Sequence, residues 1–517
     1  MPALPPRSLA DVSHHYAAER GEKTAFVTRD EAIDFATFDR RSAQVANGFG
    51  ESGLVPGDRV AYLCRNHHFV YELLFGAAHS GAVATGLNWR LSPHELAFIL
   101  EDCQARLLFV DAEFVELATK ALALANSTAR PMTTGASYET WRERQSTVFP
   151  PREIDPSDIV CQLHTSGTTG NPKGAMLSHR SFLRQLHCED EVGPLFQMDE
   201  TDVALVVSPL FHIGGLAMGT SSFLRGRGTV LCEPSPATIL EAIEDHRATT
   251  TFLVPAMIQS LLDDPTFSPA RTASLKLLRY GASAISSALM RRATAELGCG
   301  LVQVYGMTEC CGGIGCLPPS DHLDAAVAHR LASCGKPFPH VEMMIADSGG
   351  TPLEAGQVGE VLIRSPSIME GYWNRPEANQ EALTDGWYKS GDAGYLDRDG
   401  YLYLCDRIKD MIISGGENIY PAEVENAICE HEAVLEAAVI GIPDAKWGEA
   451  VKAFVVLKPG HAVSGQEIIA SAKTRIAGFK APKTVVFVEA LPRNSGGKVL
   501  RRELRAPFWE SHGRQIG

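Results

Sequence analysis

Residues 164 to 179, HTSGTTGNPKGAMLSH, set small and hydroxyl side chains in a row and close them with Pro172, Lys173 and Gly174. Glycines at 167, 170 and 174 let backbone N–H groups approach an anion, while Thr165, Ser166, Thr168 and Thr169 supply hydroxyl donors. Lys173 adds a point charge suited to phosphate oxygens. A run of this composition also fits a flexible loop, but the strand-like DIVCQL before it and the Pro-Lys-Gly ending favour a phosphate cradle. It is not the P-loop of nucleoside-triphosphatases: Pro172 stands where that motif needs glycine, and Gly174 follows the lysine in place of Ser or Thr.

The rest of the chain shows what must position these groups. Its 517 residues exceed one ordinary core, and 45% of them are hydrophobic, which predicts more than one domain. A formal charge of -15 excludes a general nucleic-acid binder, because such proteins carry a basic footprint. Any polyanion must therefore be met by local positive charge. The opening MPALPPRSLADVSHH has no apolar core of signal-peptide length, and no run of about 18 apolar residues follows. A cytoplasmic protein without an integral membrane segment is expected. Twelve cysteines lack framework spacing, which predicts reduced thiols. The group Cys310, Cys311 and Cys316 lacks the paired spacing of a zinc site and reads as packing.

Short apolar runs at 59, 105, 202, 228, 250, 275 and 301 each precede a helical stretch. That alternation predicts an α/β fold: a large N-terminal domain of parallel-rich sheets with flanking helices. Near Val341 closely spaced strands and the turns ADSGG and EAGQ predict a small β-rich subdomain. Beyond DRIKDMIISGG a helix over 422–430, strands over 435–442 and 449–457, and a capping box from Ser464 to Glu467 predict a compact α+β unit. The expected domains are 1–406 and 407–517, with a hinge near Asp406 to Lys409.

TSGTTGNPKG is followed in order by YGMTE at 305–309, GWYKSGDAGYLDRDGYL at 386–402, DRIKDMIISGGENIYPAEVE at 406–425 and LPRNSGGKVLRREL at 491–504. Together these resemble the adenylate-forming superfamily along essentially the whole chain, and most closely its acyl-CoA synthetases of the bacterial fatty-acid type. The resemblance implies an ATP-dependent carboxylic acid:CoA ligase using ATP, Mg2+ and CoA, with a mobile C-terminal domain. Joining a carboxylate to a thiol is uphill, so transfer of AMP to the acid first makes a good leaving group. That step crowds a carboxylate against a triphosphate, and catalysis is mainly charge neutralisation and alignment.

By the same resemblance, Thr165, Ser166, Gly167, Thr168, Thr169, Gly170 and Lys173 hold the departing phosphates. Glu309 is the Mg2+ ligand, with Thr165 a second candidate, and Tyr305 and Thr308 meet adenine and the α-phosphate. Asp392 takes the ribose hydroxyls with Arg407 beside it, and Lys498 bridges the incoming carboxylate and the α-phosphate. Lys409 is the hinge, and Gly415 and Gly416 let a pantetheine arm pass. Taken alone, Glu309 also reads as a helix start, Asp392 as a turn residue, and the arginines around Lys498 as a solvated basic helix.

Where amino-acid-activating relatives carry Phe-Asp, this chain has LFHIGG with His212, so an ammonium has no partner and amino acids are rejected as main substrates. His212 reads equally as a contact at the acyl carboxylate and as a packed, satisfied histidine. Gly281, Ala282 and Gly306 fall in stretches that line the acyl pocket in the family. Small walls leave volume, so a medium or long alkyl chain or a bulky ring fits better than acetate. Aryl-acid ligases share every motif quoted. A carrier-protein ligase is disfavoured by the absence of an insertion between Asp392 and Arg407, and the chain leaves no room for a carrier domain of its own. A luciferase-type oxygenase shares the adenylation half, and a non-catalytic nucleotide or acyl binder is opposed by the complete charged set. Small molecules are the expected partners, with a homodimer left open.

Overall fold

The computed structural model describes residues 7–165, 172–184, 198–283, 285–407, 410–414, 417–444, 446–493 and 499–509. The chain packs as two compact units, Met1–Glu342 with Arg364–Tyr388, and Met343–Ile363 with Lys389–Gly517. Among the described residues no helix is long and apolar enough to cross a membrane.

The first unit holds two large sheets. In the seven-stranded sheet, five parallel strands, Ile159–Thr165, Val83–Gly86, Arg59–Leu63, Leu107–Val110 and Arg130–Thr133, lie side by side. At one edge Lys173–Ser178 and then Gly371–Tyr372 add antiparallel. The nine-stranded sheet has six parallel strands, from Gly300–Met307 through Leu277–Gly281, Thr250–Leu253, Val203–Val206 and Gly228–Leu231 to Thr24–Val27. Its antiparallel edge includes Gly312–Leu317, a hairpin partner of Gly300–Met307. The runs read as strands in the sequence are these strands. They are continuous apolar segments because helices cover both faces of a parallel sheet. The helix Pro236–His246, with Ile239, Leu240 and Ile243 buried, packs into the same core as Leu205, Leu253 and Leu278.

The second unit carries the β-rich element predicted after Val341, including the hairpin Trp387–Leu396 and Leu402–Arg407. A second sheet has the order Glu417–Ile419, Ile412–Ser414, Gly448–Leu457, Val434–Asp444, with Thr484–Phe487 parallel to Gly448–Leu457. Helices Pro421–Cys429 and Gly465–Lys473 cover it through Val424, Ile428, Ile468 and Ala472. The capping box at Ser464 and Glu467 is formed. The arginines of the last motif are less solvated than their sequence suggests. Arg501 binds both carboxylate oxygens of Glu425 at 2.7 and 2.8 Å, and Arg493 pairs with Glu436.

Candidate active site

The predicted phosphate loop joins two antiparallel strands. Thr165 ends one and Lys173 starts the other, and the two residues face each other in register. The Thr165 hydroxyl donates to the Lys173 carbonyl at 3.5 Å. Ser166, Gly167, Thr168, Thr169 and Gly170 lie outside the described residues. A P-loop is followed by a helix; here the strand Lys173–Ser178 follows. Gly174 has a packing reason of its own, since a Cβ there would stand 2.3 Å from the Gln162 amide.

Glu309 sits in a short helical turn, Thr308–Cys310, that closes the hairpin of Gly300–Met307 with Gly312–Leu317. The turn ends at Cys311 in left-handed backbone (φ 56°), whose N–H bonds the Thr308 carbonyl at 2.9 Å. Gly306 is needed for the crossing: a Cβ there would meet the Gly312 carbonyl at 2.0 Å. Tyr305, in the same strand, is buried.

One segment ties the two hairpins together. The Met369 N–H bonds the Glu309 carbonyl at 2.7 Å, and the Trp373 N–H bonds the Gly174 carbonyl at 2.8 Å. Between them Tyr372 pairs with Ala175 and donates its hydroxyl to Glu309 Oε1 at 2.9 Å. The Lys173 ammonium lies 5.2 Å from the centre of the Tyr372 ring. The Tyr388 phenol lies near enough to that of Tyr372 to feel its charge. Burial first, then the Glu309 charge, raises both phenols above their ordinary range. Below this layer Trp373 donates to the Asp102 carbonyl at 3.0 Å, and the Asp102 carboxylate meets His164 Nε2 at 3.2 Å and Arg375.

Among the described residues, the second Glu309 oxygen takes no hydrogen bond and no group of three or more acidic, His or Cys side chains could hold a metal. A single carboxylate is a donor set that fits Mg2+, which keeps several waters and is bound through one or two carboxylates plus substrate phosphates.

Near the predicted acyl pocket, His212 precedes the helix Ile213–Phe223, whose sequence IGGLAMGTSSF carries no charge. Its ring lies against Phe211 with centroids 4.6 Å apart. Its Nε2 is buried without a hydrogen-bond partner among the described residues. Burial, and secondarily the Arg90 charge, lowers its pKa to about 4, which keeps it neutral at pH 7. Gly281 closes the strand Leu277–Gly281 where a Cβ would stand 2.3 Å from the Val304 carbonyl. Ala282 follows in left-handed backbone (φ 65°) and is exposed. A non-glycine residue held there is strained, a feature that concentrates at ligand sites.

In the second unit Asp392 and Arg407 are opposite each other in the hairpin, with Arg407 Nε 2.6 Å from Asp392 Oδ1. The Ser390 hydroxyl accepts from the Asp392 N–H at 3.0 Å, and Gly391 provides a positive φ of 70° just before. Lys409, Gly415, Gly416 and Lys498 lie outside the described residues.

Tyr372, Tyr388 and Asp102 were not singled out in the sequence. The only signal is the aromatic pair in EGYWNRP, and nothing in its spacing from Glu309, 63 residues away, shows that the two meet.

The chain matches the AMP-binding enzyme family over residues 13–373 and the AMP-binding enzyme C-terminal domain over 423–498. It is 38% identical over 513 residues to the fatty acid:acyl-carrier-protein ligase ScoC of Streptomyces coeruleorubidus, covering 99% of this chain and 98% of that one. It is 39% identical over 507 residues to a feruloyl-CoA synthase of Amycolatopsis, covering 97% and 98%. The ATP-bound structure of MatB from Rhodopseudomonas palustris superposes with a TM-score of 0.87 at 28% identity, covering 98% of this chain and 100% of that one. With its motifs in family order and its fold matched end to end, the chain belongs to the AMP-binding enzyme family and is an AMP-forming acyl-CoA synthetase of the adenylate-forming superfamily.

Proposed function

We propose that this ATP-dependent acid:CoA ligase activates a medium- or long-chain, or bulky apolar, carboxylic acid. The observation that carries the choice is His212: a neutral, buried imidazole at the head of an uncharged helix. Such a group suits a carboxylate attached to an apolar body and offers an ammonium no negative charge.

In this reading Lys173 and the loop Thr165 to Gly170 draw charge from the β- and γ-phosphates, Tyr305 and Thr308 place the adenine and α-phosphate, and Asp392 with Arg407 reads the ribose hydroxyls. Glu309, with Thr165, would hold Mg2+, which supplies charge neutralisation on the phosphate oxygens. Lys498 aligns the acid's oxygen on the α-phosphorus; that P–O bond forms as the bond to pyrophosphate breaks. His212, Gly281, Ala282 and Gly306 border the acyl group. Residues 407–517 then turn about Lys409, and Gly415 and Gly416 admit the pantetheine arm. The thiolate attacks the acyl carbonyl, AMP leaves, and the thioester is complete. The reading places the reaction in the cytoplasm and includes a homodimer, which sedimentation of the purified chain would test.

Two further readings are favoured by specific relatives. The feruloyl-CoA synthase supports an aryl acid. ScoC, a ligase for an acyl carrier protein aligned over 98% of its length, shows that lack of an insertion does not by itself separate carrier protein from CoA as acceptor. The test is pyrophosphate release with ATP and Mg2+ across straight-chain and aryl acids, with CoA, with a phosphopantetheinylated carrier protein, or with neither. Release with an alkyl acid and matching CoA consumption supports the proposal. Release confined to aryl acids, or thioester formed only on the carrier, replaces it with the corresponding alternative.

A further inference from the structure

Lys173 and Glu309 carry opposite charges and both contact Tyr372, yet they form no ion pair with each other among the described residues. The ammonium faces the ring at 5.2 Å, and the carboxylate accepts the hydroxyl at 2.9 Å. The backbone that carries the ring is itself held. The Asn379 side chain accepts from the Tyr372 N–H at 2.6 Å and donates to the Tyr372 carbonyl at 3.0 Å. Gly371, before it, has φ 134° and would bring a Cβ to 3.2 Å from Asn379. That is much local construction for a residue that only fills space.

We infer that Tyr372 is a positioning residue that keeps Lys173 and Glu309 from neutralising each other and aims the Glu309 carboxylate at the cation. The inference rests on the proposed roles of Lys173 at phosphate and Glu309 at Mg2+. Without the ring, the ammonium and the carboxylate would close on each other, and each would need desolvating again before MgATP could bind. Without only the hydroxyl, Lys173 keeps its cation–π seat, but the carboxylate loses a charge-assisted hydrogen bond and its fixed orientation. The two functions of one side chain are therefore separable by substitution.

The experiment uses the full chain and titrates ATP calorimetrically, without acid, at a series of Mg2+ concentrations, with pyrophosphate release measured alongside. Tyr372→Phe is expected to raise the Mg2+ concentration for half-maximal binding about tenfold, the scale of a hydrogen bond to a charged group, while binding at saturating Mg2+ stays within twofold. Tyr372→Leu is expected to show the same Mg2+ shift and, in addition, about tenfold weaker ATP binding at saturating Mg2+. Tyr372→Phe, which keeps the ring, carries the test if Tyr372→Leu does not fold. A merely structural role would lower the melting temperature without a Mg2+ shift, and a Tyr372→Phe midpoint within twofold of wild type overturns the inference. Glu309→Gln separates this failure from that of the underlying reading: if it too leaves the Mg2+ midpoint unmoved, the assignment of Glu309 is what fails.

Discussion

Two clusters of charge in the first unit are built on opposite plans. Around Glu72, which is fully buried, every charge is answered. Its carboxylate accepts from the Tyr138 hydroxyl at 2.6 Å and meets His68 Nδ1 at 2.9 Å, Arg41 at 3.4 Å and Arg142 at 3.8 Å. Lys173 and Glu309 each contact the side chain of Tyr372 and form no ion pair with each other among the described residues. The first plan satisfies buried ions because an unanswered one is costly. The second leaves charge for a ligand to answer. Substitutions in the two clusters should therefore separate stability from activity.

The largest effect is expected at Glu72. Glu72→Ala removes the buried acceptor of Tyr138 and His68 and leaves Arg41 and Arg142 to Glu31 and Glu139; it should cost about 3 kcal/mol of folding stability, read from urea unfolding, while MgATP binding by the folded fraction stays near wild type. Glu309→Gln should do the reverse: pyrophosphate release falls on the order of 100- to 1,000-fold, and unfolding changes by no more than about 0.5 kcal/mol. Equal stability losses in the two variants would show that the second cluster is structural.

Acid should distinguish the buried groups in sequence. Burial alone would raise the Glu72 pKa, but the hydrogen bond and charge of His68, with Arg41 and Tyr138, outweigh it and hold the group at about 2. This depressed carboxylate contributes stability above its unfolded value of 4.5, lost as pH falls toward 2. His79 is stacked on Phe149 at 3.5 Å, and burial, then the neighbours His179 and His14, lower it from 6.5 to about 3. Its folded form binds fewer protons than its unfolded form between those values, so stability drops as pH falls below 6.5. His79→Phe should reduce the slope of stability against pH between 6 and 5 by about 1.4 kcal/mol per unit. An unchanged slope would show that His79 protonates in place.

The same contrast governs what could be read without coordinates. The parallel strands were legible because burial on both faces makes them continuous apolar runs, and the Ser464 capping box because it is local. Lys173, Glu309, Asp392 and Arg407 were legible because each sits in a contiguous motif. Tyr372 was not: it reaches Glu309 through an edge strand added antiparallel beside Lys173–Ser178, and strand order in a sheet leaves no trace in local sequence. The Glu72 cluster was invisible for the same reason, gathering side chains from residues 41 to 142. The glycines were legible as small but not as to why. Gly281 and Gly306 are required by neighbouring backbone, so their size is no measure of a pocket.

That leaves Gly214 as the sharper probe of pocket volume, against its neighbour Gly215. At Gly215 a Cβ would stand 2.3 Å from the Ser208 carbonyl and 2.6 Å from that of Pro209, so Gly215→Ala should destabilise by about 1–3 kcal/mol whatever the substrate. At Gly214 a Cβ meets only the Phe252 ring, at an ordinary 3.6 Å, and alanine is favoured over glycine in a helix by up to about 1 kcal/mol. Gly214→Ala should therefore fold as well as wild type. If Gly214 borders the acyl group, the added methyl lowers kcat/KM for the longest accepted acid by about tenfold, the scale of one methylene in an apolar pocket, and spares the shorter acids. A uniform kcat/KM across chain lengths would remove this wall from the pocket and leave His212 as the remaining argument for where the acid lies.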